Sequence, residues 1–294
     1  MLQKRQIVHY KENGYLVVED AVKGETLNEL RRVTDAFLEQ ARSVSTSNDV
    51  FDLAEGHTAE QPKVNRIRVP DRQHPAYSSM MRSSTVLDIV ADLIGPNIRF
   101  DHSKLNCKPA GGGATIEWHQ DWAFYPQTND DMLSINVMLD DCAAENGPLS
   151  VIPGSHMGPI FDHHDDGWFV GAINPEVAGF DASSAVALTG PAGSITVHHV
   201  RAVHGSSESR SGRPRSLLNL NYAAADTWPL LTPERSVPLT EDPDAFESLI
   251  VRGEATIVPR LADVPVRLPV PGARLGSIFQ QQSAFIGRSF GAEE

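Results

Sequence analysis

At Gly95 the chain changes texture, and that change limits its fold more than any other feature. Before it, apolar residues recur at helical spacing; after it, they come in short runs divided by turn clusters. The runs are 98–107, 115–118, 133–139, 149–152, 194–199 and 216–222. Between them stand Pro109-Ala110-Gly111-Gly112-Gly113, Glu145-Asn146-Gly147-Pro148 and Pro191-Ala192-Gly193. Glycine admits positive φ and proline lacks an N–H donor, so such clusters end strands. Strands in series without intervening helices exclude alternating βαβ units and point to an antiparallel sandwich or barrel. The expected class is mainly β within an α+β arrangement, the β core backed by N-terminal helices.

The first hundred residues supply those helices. Residues 3–12 predict a short helix stopped near Gly14, followed by a brief strand over Tyr15–Val18. Thr26 and Glu29 have the spacing of a capping box, and Leu27, Leu30, Val33, Phe37 and Ala41 follow at helical intervals, predicting a helix over 26–42. A further helix over 84–94 is ended by Gly95-Pro96. Residues 43–60 read as a loop, 157–190 as a loop insert, and 225–294 as a proline-interrupted extension without a chemical motif. The whole of 1–294 is expected to be one domain, with 1–97 mostly helical and 98–224 forming the β core.

Composition narrows the partners. A chain that is 40% hydrophobic and 21% charged can bury a core. A net charge of −13 argues against non-specific nucleic-acid binding. No apolar run approaches the roughly 18–20 residues of a membrane span, and the N-terminus lacks the apolar stretch of a signal peptide. Two cysteines, Cys107 and Cys142, cannot form a disulfide framework. These features predict a soluble, acidic, cytoplasmic protein, a monomer or homodimer.

The chemistry concentrates in Trp118-His119-Gln120-Asp121-Trp122. Residues two apart on a strand share a face at about 7 Å, so His119 and Asp121 can converge on one ion. His204, in Val203-His204-Gly205-Ser206, is the best third ligand. Two histidines and one carboxylate leave three open positions on an octahedron, the arrangement of non-haem Fe(II) oxygenases. Eleven residues past His204, Arg215 offers a guanidinium suited to a dicarboxylate cosubstrate. A lone His-x-Asp arises often by chance; the distant His and Arg make the pattern more specific.

The segment from Leu105 to Tyr222 resembles the phytanoyl-CoA dioxygenase family of Fe(II)/2-oxoglutarate oxygenases. The resemblance rests on an ordered set: Leu-Asn-Cys-Lys-Pro (105–109), Trp-His-Gln-Asp (118–121), Glu-Asn-Gly-Pro-Leu (145–149), Val-Ile-Pro-Gly-Ser-His (151–156), Pro-Ala-Gly-Ser-Ile (191–195), His-Gly-Ser (204–206) and the Arg215 segment. It implies a double-stranded β-helix, the jelly-roll or cupin-like barrel, with Fe(II), 2-oxoglutarate and O2 as reactants. By the same likeness His119, Asp121 and His204 would bind iron, and Arg215 would pair with the distal carboxylate of 2-oxoglutarate beside Ser206. Lys104 falls where relatives also contact the cosubstrate, commonly through an apolar residue. Val137 stands where some relatives place a Trp against 2-oxoglutarate. Related halogenases carry a small residue in place of Asp121, so the resemblance implies hydroxylation of a small organic molecule, with desaturation, rearrangement or a silent binding barrel as alternatives.

Other features have plainer readings. His198 and His199 are read as core or surface histidines, and Asp162-His163-His164-Asp165-Asp166 as a solvated loop near the mouth. About half of Trp118, Trp122, Phe124 and Tyr125 should be core, the rest pocket. Cys107 and Cys142 read as buried small residues. Arg66, Arg68 and Arg72 read as a solvated loop, with contact to an anionic substrate or to 2-oxoglutarate as the functional alternative.

Overall fold

Alternation along the predicted strands becomes two faces of one large sheet. The computed structural model describes residues 1–110, 112–231, 243–272, 277–283 and 285. Gly111 of the first turn cluster, and residues 232–242, 273–276, 284 and 286–294 of the C-terminal extension, lie outside the described residues. The N-terminal elements are α1 (Lys4–Asn13), β1 (Tyr15–Val18), α2 (Gly24–Gln40), β2 (Phe51–Leu53), β3 (Val64–Arg68), α3 (Pro70–Gln73), α4 (Pro75–Met81) and α5 (Ser84–Ile94). Then follow β4 (Ile98–Lys108), β5 (Ile116–His119), β6 (Met132–Met138), β7 (Ser150–Val151), β8 (His164–Asp165) and β9 (Trp168–Phe169). The remainder comprises α6 (Pro175–Ala178), β10 (Val186–Ala187), β11 (Ile195–His199), β12 (His204–Ser206), β13 (Arg215–Ala224), α7 (Pro243–Leu249), β14 (Ile250–Arg252) and α8 (Ile278–Ser283).

Among the described residues, a large antiparallel sheet has the order β1-β11-β6-β13-β4-β3-β2, with β14 also on β4. A smaller sheet runs β10-β7-β12-β5, and β8 and β9 form a separate hairpin. The turn clusters predicted antiparallel sheets of this kind, and the family resemblance implied their jelly-roll arrangement. Ile67, Leu105, Leu218, Val137 and Ile195 lie in one row across five strands of the large sheet, all buried. They share an apolar core with Leu30 and Val33 of α2, Tyr77 and Met80 of α4, and Val86 and Val90 of α5. Helices therefore cover this face. The one-residue offset puts polar side chains on the other face, because strand side chains alternate.

Several local expectations need correction. Helix α2 begins at Gly24, with Lys23 as its N-cap and no side-chain cap. Thr26 is already inside the first turn, and Glu29 instead accepts from Arg32 at 2.7 and 2.8 Å. Residues 43–60 are not all loop, since β2 pairs with β3. Helices α3 and α4 went unread because each opens on a proline, Pro70 and Pro75, a residue suited to the first helical turn, where an N–H has no partner. Gly14 does stop α1, at φ +77°, and a Cβ there would meet the His156 ring at 2.5 Å. No described helix is long and apolar enough to cross a membrane.

Candidate functional site

Backbone pairing brings the two predicted histidines together. His204 of β12 lies directly opposite His119 of β5, and their ring centroids are 4.1 Å apart. Each Nδ1 faces a backbone carbonyl, Glu117 at 2.8 Å and Ala202 at 2.9 Å. A carbonyl only accepts, so both Nδ1 atoms carry the proton and both Nε2 atoms keep a lone pair. Strand β5 ends at His119, but Gln120 remains extended and Asp121 opens a 3-10 turn, so Asp121 returns to the same face. The Gln120 side chain anchors this turn, donating to Pro159 and Arg201 carbonyls at 3.1 and 2.8 Å. Ligand atoms of His119, Asp121 and His204 all lie within 4.8 Å of one another, and all three residues are buried. Among the described residues no other His, Cys, Asp and Glu group has this closeness.

The electrostatics suit a cation. Burial lowers the His119 imidazole to about 4, and burial together with its neighbours His119 and His198 holds His204 well below its usual value. Both are neutral donors at neutral pH. Burial alone would raise the Asp121 carboxyl, but Lys104, a hydrogen bond from His198 and the nearby His204 hold it well below the usual carboxylate range. Lys104 Nζ lies 4.0 Å from Asp121 Oδ1. Two neutral imidazoles and an ionised carboxylate are a donor set that fits Fe(II).

His198 is where the sequence reading erred. It is 1% exposed and donates from Nε2 to Asp121 Oδ2 at 3.2 Å, while Asn136 approaches its Nδ1 at 3.4 Å. A carboxylate cannot donate, so His198 holds its proton on Nε2, the reverse of His119 and His204. That tautomer makes it an orienter of Asp121 rather than a ligand. Ser134 Oγ lies 3.3 Å from the same oxygen. His199 points the other way, against Tyr10 and His156, as its place one residue along the strand requires.

Arg215, Ser206 and Lys104 line one cavity with the three clustered residues. Arg215 is 2% exposed; one Nη2 donates to the Gly147 carbonyl, and its Nε has no hydrogen-bond partner. Among the described residues no carboxylate reaches this guanidinium, and burial lowers its pKa. Gly147 explains the Glu-Asn-Gly-Pro-Leu motif: it sits at φ +67°, and a Cβ would strike the Ser207 carbonyl at 2.5 Å. Lys108 is also buried here, donating to the Ala114 and Ser207 carbonyls. Val137 does not face this cavity; it belongs to the helix-covered row, and Asn136 takes the inward position. One residue of register separates the two.

A second cleft adjoins this cavity, sharing Arg66, Lys104, His119, Asp121 and Ile278 with it. It is lined by Arg66, Arg68, Lys104, Asp52, Phe124, Tyr125 and Phe169, with part of α8. Arg66 and Arg68 are thus on strand β3, not in a solvated loop, and only Arg72 is exposed, on α3. Trp118 and Trp122 are core and Phe124 and Tyr125 line the pocket, in the expected proportion of about half. The acidic His-rich tract is only partly solvated: His163 is buried and its Nε2 accepts from the Gln120 backbone N–H at 2.9 Å. Both cysteines are buried and free.

Comparison with known proteins agrees with this geometry. The family profile described as phytanoyl-CoA dioxygenase (PhyH) matches residues 10–217. The "Probable alpha-ketoglutarate-dependent hypophosphite dioxygenase" of Stutzerimonas stutzeri is 35% identical over 280 residues, covering 94% of this chain and 95% of that protein. The ectoine dioxygenase of Sphingopyxis alaskensis is 27% identical over 243 residues, covering 76% of each. The fold matches the crystal structure of EctD from S. alaskensis with 2-oxoglutarate and 5-hydroxyectoine at a TM-score of 0.67 and 22% identity, over 92% of this chain and 89% of that one. From a family match over more than half its length and a relative aligned nearly end to end, the chain belongs to the phytanoyl-CoA dioxygenase family.

Proposed function

We propose that this protein is an Fe(II)- and 2-oxoglutarate-dependent dioxygenase that hydroxylates a small organic molecule at an unactivated C–H bond. His119, Asp121 and His204 hold the iron; Arg215 binds the distal carboxylate of 2-oxoglutarate; Ser206 and Lys104 line the cosubstrate pocket. One observation carries the reading: three buried donors in the right protonation state share a cavity with a buried arginine that no described carboxylate neutralises. The relatives named for hypophosphite and ectoine support a small substrate. The apolar core shared by helices and large sheet supports treating 1–294 as one oxygenase domain.

Bound together, iron, 2-oxoglutarate and O2 supply an oxidant that removes a hydrogen atom from carbon, with succinate and CO2 as coproducts. The chain's own part is preorganisation. Backbone carbonyls lock both histidine tautomers, and His198 fixes the rotation of Asp121. Arg215 sets the depth at which a dicarboxylate sits. Phe124, Tyr125 and Phe169 give the adjoining cleft an apolar wall beside His119 and Asp121.

Anaerobic Fe(II) and 2-oxoglutarate titrations, followed by succinate release in air, test the reading. Wild-type protein should bind one Fe(II) and release succinate, and His204→Ala should lose both by at least about 100-fold, more than loss of an outer-shell partner costs. Unchanged iron affinity in that variant would refute the ligand set. With substrate in hand, one atom from 18O2 in the product marks hydroxylation; a product two hydrogens lighter marks desaturation.

A further inference from the structure

We propose that α8 of the C-terminal extension is part of the site, and that Gln282 is a positioning residue that steadies His119 and seats the helix as a cavity wall. This deepens the dioxygenase reading and rests on it. The extension carries no chemical motif by sequence, yet two of its residues, Ile278 and Phe279, line the cavity that holds Arg215. Ser277, Ile278 and Gln281 line the adjoining cleft.

A helix of six residues is not stable alone, so its placement comes from its anchors. Its start is closed reciprocally: the Ser277 N–H donates to Gln280 Oε1 at 3.2 Å, and the Gln280 N–H to Ser277 Oγ at 3.4 Å. Toward its end Gln282 is 4% exposed, and Phe285 beyond it is buried. The Gln282 amide offers an acceptor and two donors, the groups of a peptide bond carried on a side chain. Its Oε1 accepts from the Glu117 backbone N–H at 2.9 Å, and its Nε2 donates to the Gly171 carbonyl at 2.6 Å. One side chain thereby ties α8 both to β5 and to the chain that follows β9.

Both partners of that amide lead to His119. The Glu117 carbonyl accepts from His119 Nδ1 at 2.8 Å, so one residue is held by α8 and in turn holds the imidazole. Gly171 sits at φ +67°, and a Cβ there would strike the Phe124 ring. Phe124 stands edge-on to His119, with ring centroids 5.8 Å apart. One arm of the amide therefore sets the hydrogen bond that orients His119, and the other sets the aromatic ring against it. Partners beyond the ligands tune a metal site through such orientation. The Arg66 guanidinium, 5.1 Å from the centroid of the Phe279 ring, joins the same helix to β3.

The test is Gln282→Met in full-length protein, which keeps the length of the side chain and removes both hydrogen bonds. Hydrogen exchange should quicken about tenfold or more in peptides covering 116–119 and 277–282. Under nitrogen, the Mn(II) isotherm of the folded variant should weaken about fivefold or more, less than for a direct partner of a ligand because the amide acts through Glu117. Binding of 2-oxoglutarate to the Mn(II)-loaded variant should weaken about threefold or more as the wall loosens. A purely structural role would lower the denaturation midpoint and leave both isotherms where they were. Unchanged isotherms, or unchanged exchange at 116–119, would overturn the proposal. If Gln282→Met does not fold, Gln282→Asn, one methylene shorter, is judged by the same limits. Failure of wild-type protein to bind Mn(II) or 2-oxoglutarate is a different result and would sink the dioxygenase reading itself.

Discussion

Two neighbouring rows of the large sheet cross the same strands and differ in nearly everything else. Ile67, Leu105, Leu218, Val137 and Ile195 make one; Arg68, Lys104, Asn219, Asn136 and Thr196 make the other. Each residue of the second is a sequence neighbour of one in the first. The first packs beneath helices and contains no polar side chain. Arg68, Lys104, Asn219 and Asn136 of the second line the two clefts, where Asn219 donates to Asn136 Oδ1 at 2.8 Å and Asn221 to Asn219 Oδ1 at 2.6 Å. One row supplies stability through burial; the other turns polar groups toward the clefts and fixes its asparagines there by hydrogen bonds. The contrast shows that stability and chemistry are divided between faces of one sheet, not between separate parts of the chain.

That division can be broken deliberately. Leu218→Ala on the apolar side should cost about 2–5 kcal/mol of stability by the usual cavity penalty, read as a denaturation midpoint, with the 2-oxoglutarate constant unmoved in the folded protein. Arg215→Ala on the polar side should do the reverse, raising the apparent 2-oxoglutarate constant about 30-fold or more while the midpoint changes little or rises, since a buried charge is removed. If both variants changed both observables alike, the faces would not be separable. His198→Gln is expected to cost about tenfold in Fe(II) affinity or turnover, the lower end for a partner that orients a ligand. An unaltered iron isotherm and rate would reduce His198 to packing.

Acid sharpens the comparison from outside the rows. Burial holds His163 and His199 at about 3, against an ordinary value of 6.5. The unfolded chain takes up protons on both between those limits and the fold does not, so stability is complete above pH 6.5 and declines as pH falls toward 3. The slope is at most about 1.4 kcal/mol per pH unit for each histidine. Denaturant midpoints measured from pH 7 to pH 4 check this, and His163→Gln should flatten the curve.

The closeness of His119, Asp121 and His204 is legible in strand alternation and an ordered set of motifs, and β1 and α5 occupy the residues read for them. What escaped depends on partners distant in sequence. His198 reads as one of two adjacent histidines until β11 is set beside β6, with Asp121 across the cavity. Val137 and Asn136 exchange roles with one step of register, which the pairing to Leu218 and Asn219 decides. Arg66 and Arg68 look like loop residues because β3 is five residues long and preceded by a polar stretch. Its strand character comes from β4, forty residues later.

The margins of both sheets carry a consequence of their own. Among the described residues the large sheet ends in β1 and β2, of four and three residues, with the three-residue β14 also at its margin on β4, and the small one in β10 and β5, of two and four. Very short outermost strands offer little unpaired backbone for another chain to extend. Strand addition is therefore a poor route to self-association for this molecule, whatever its concentration. A companion chain would have to grip side chains, and the long hydrogen-bonded strands around the clefts would keep their pairing undisturbed.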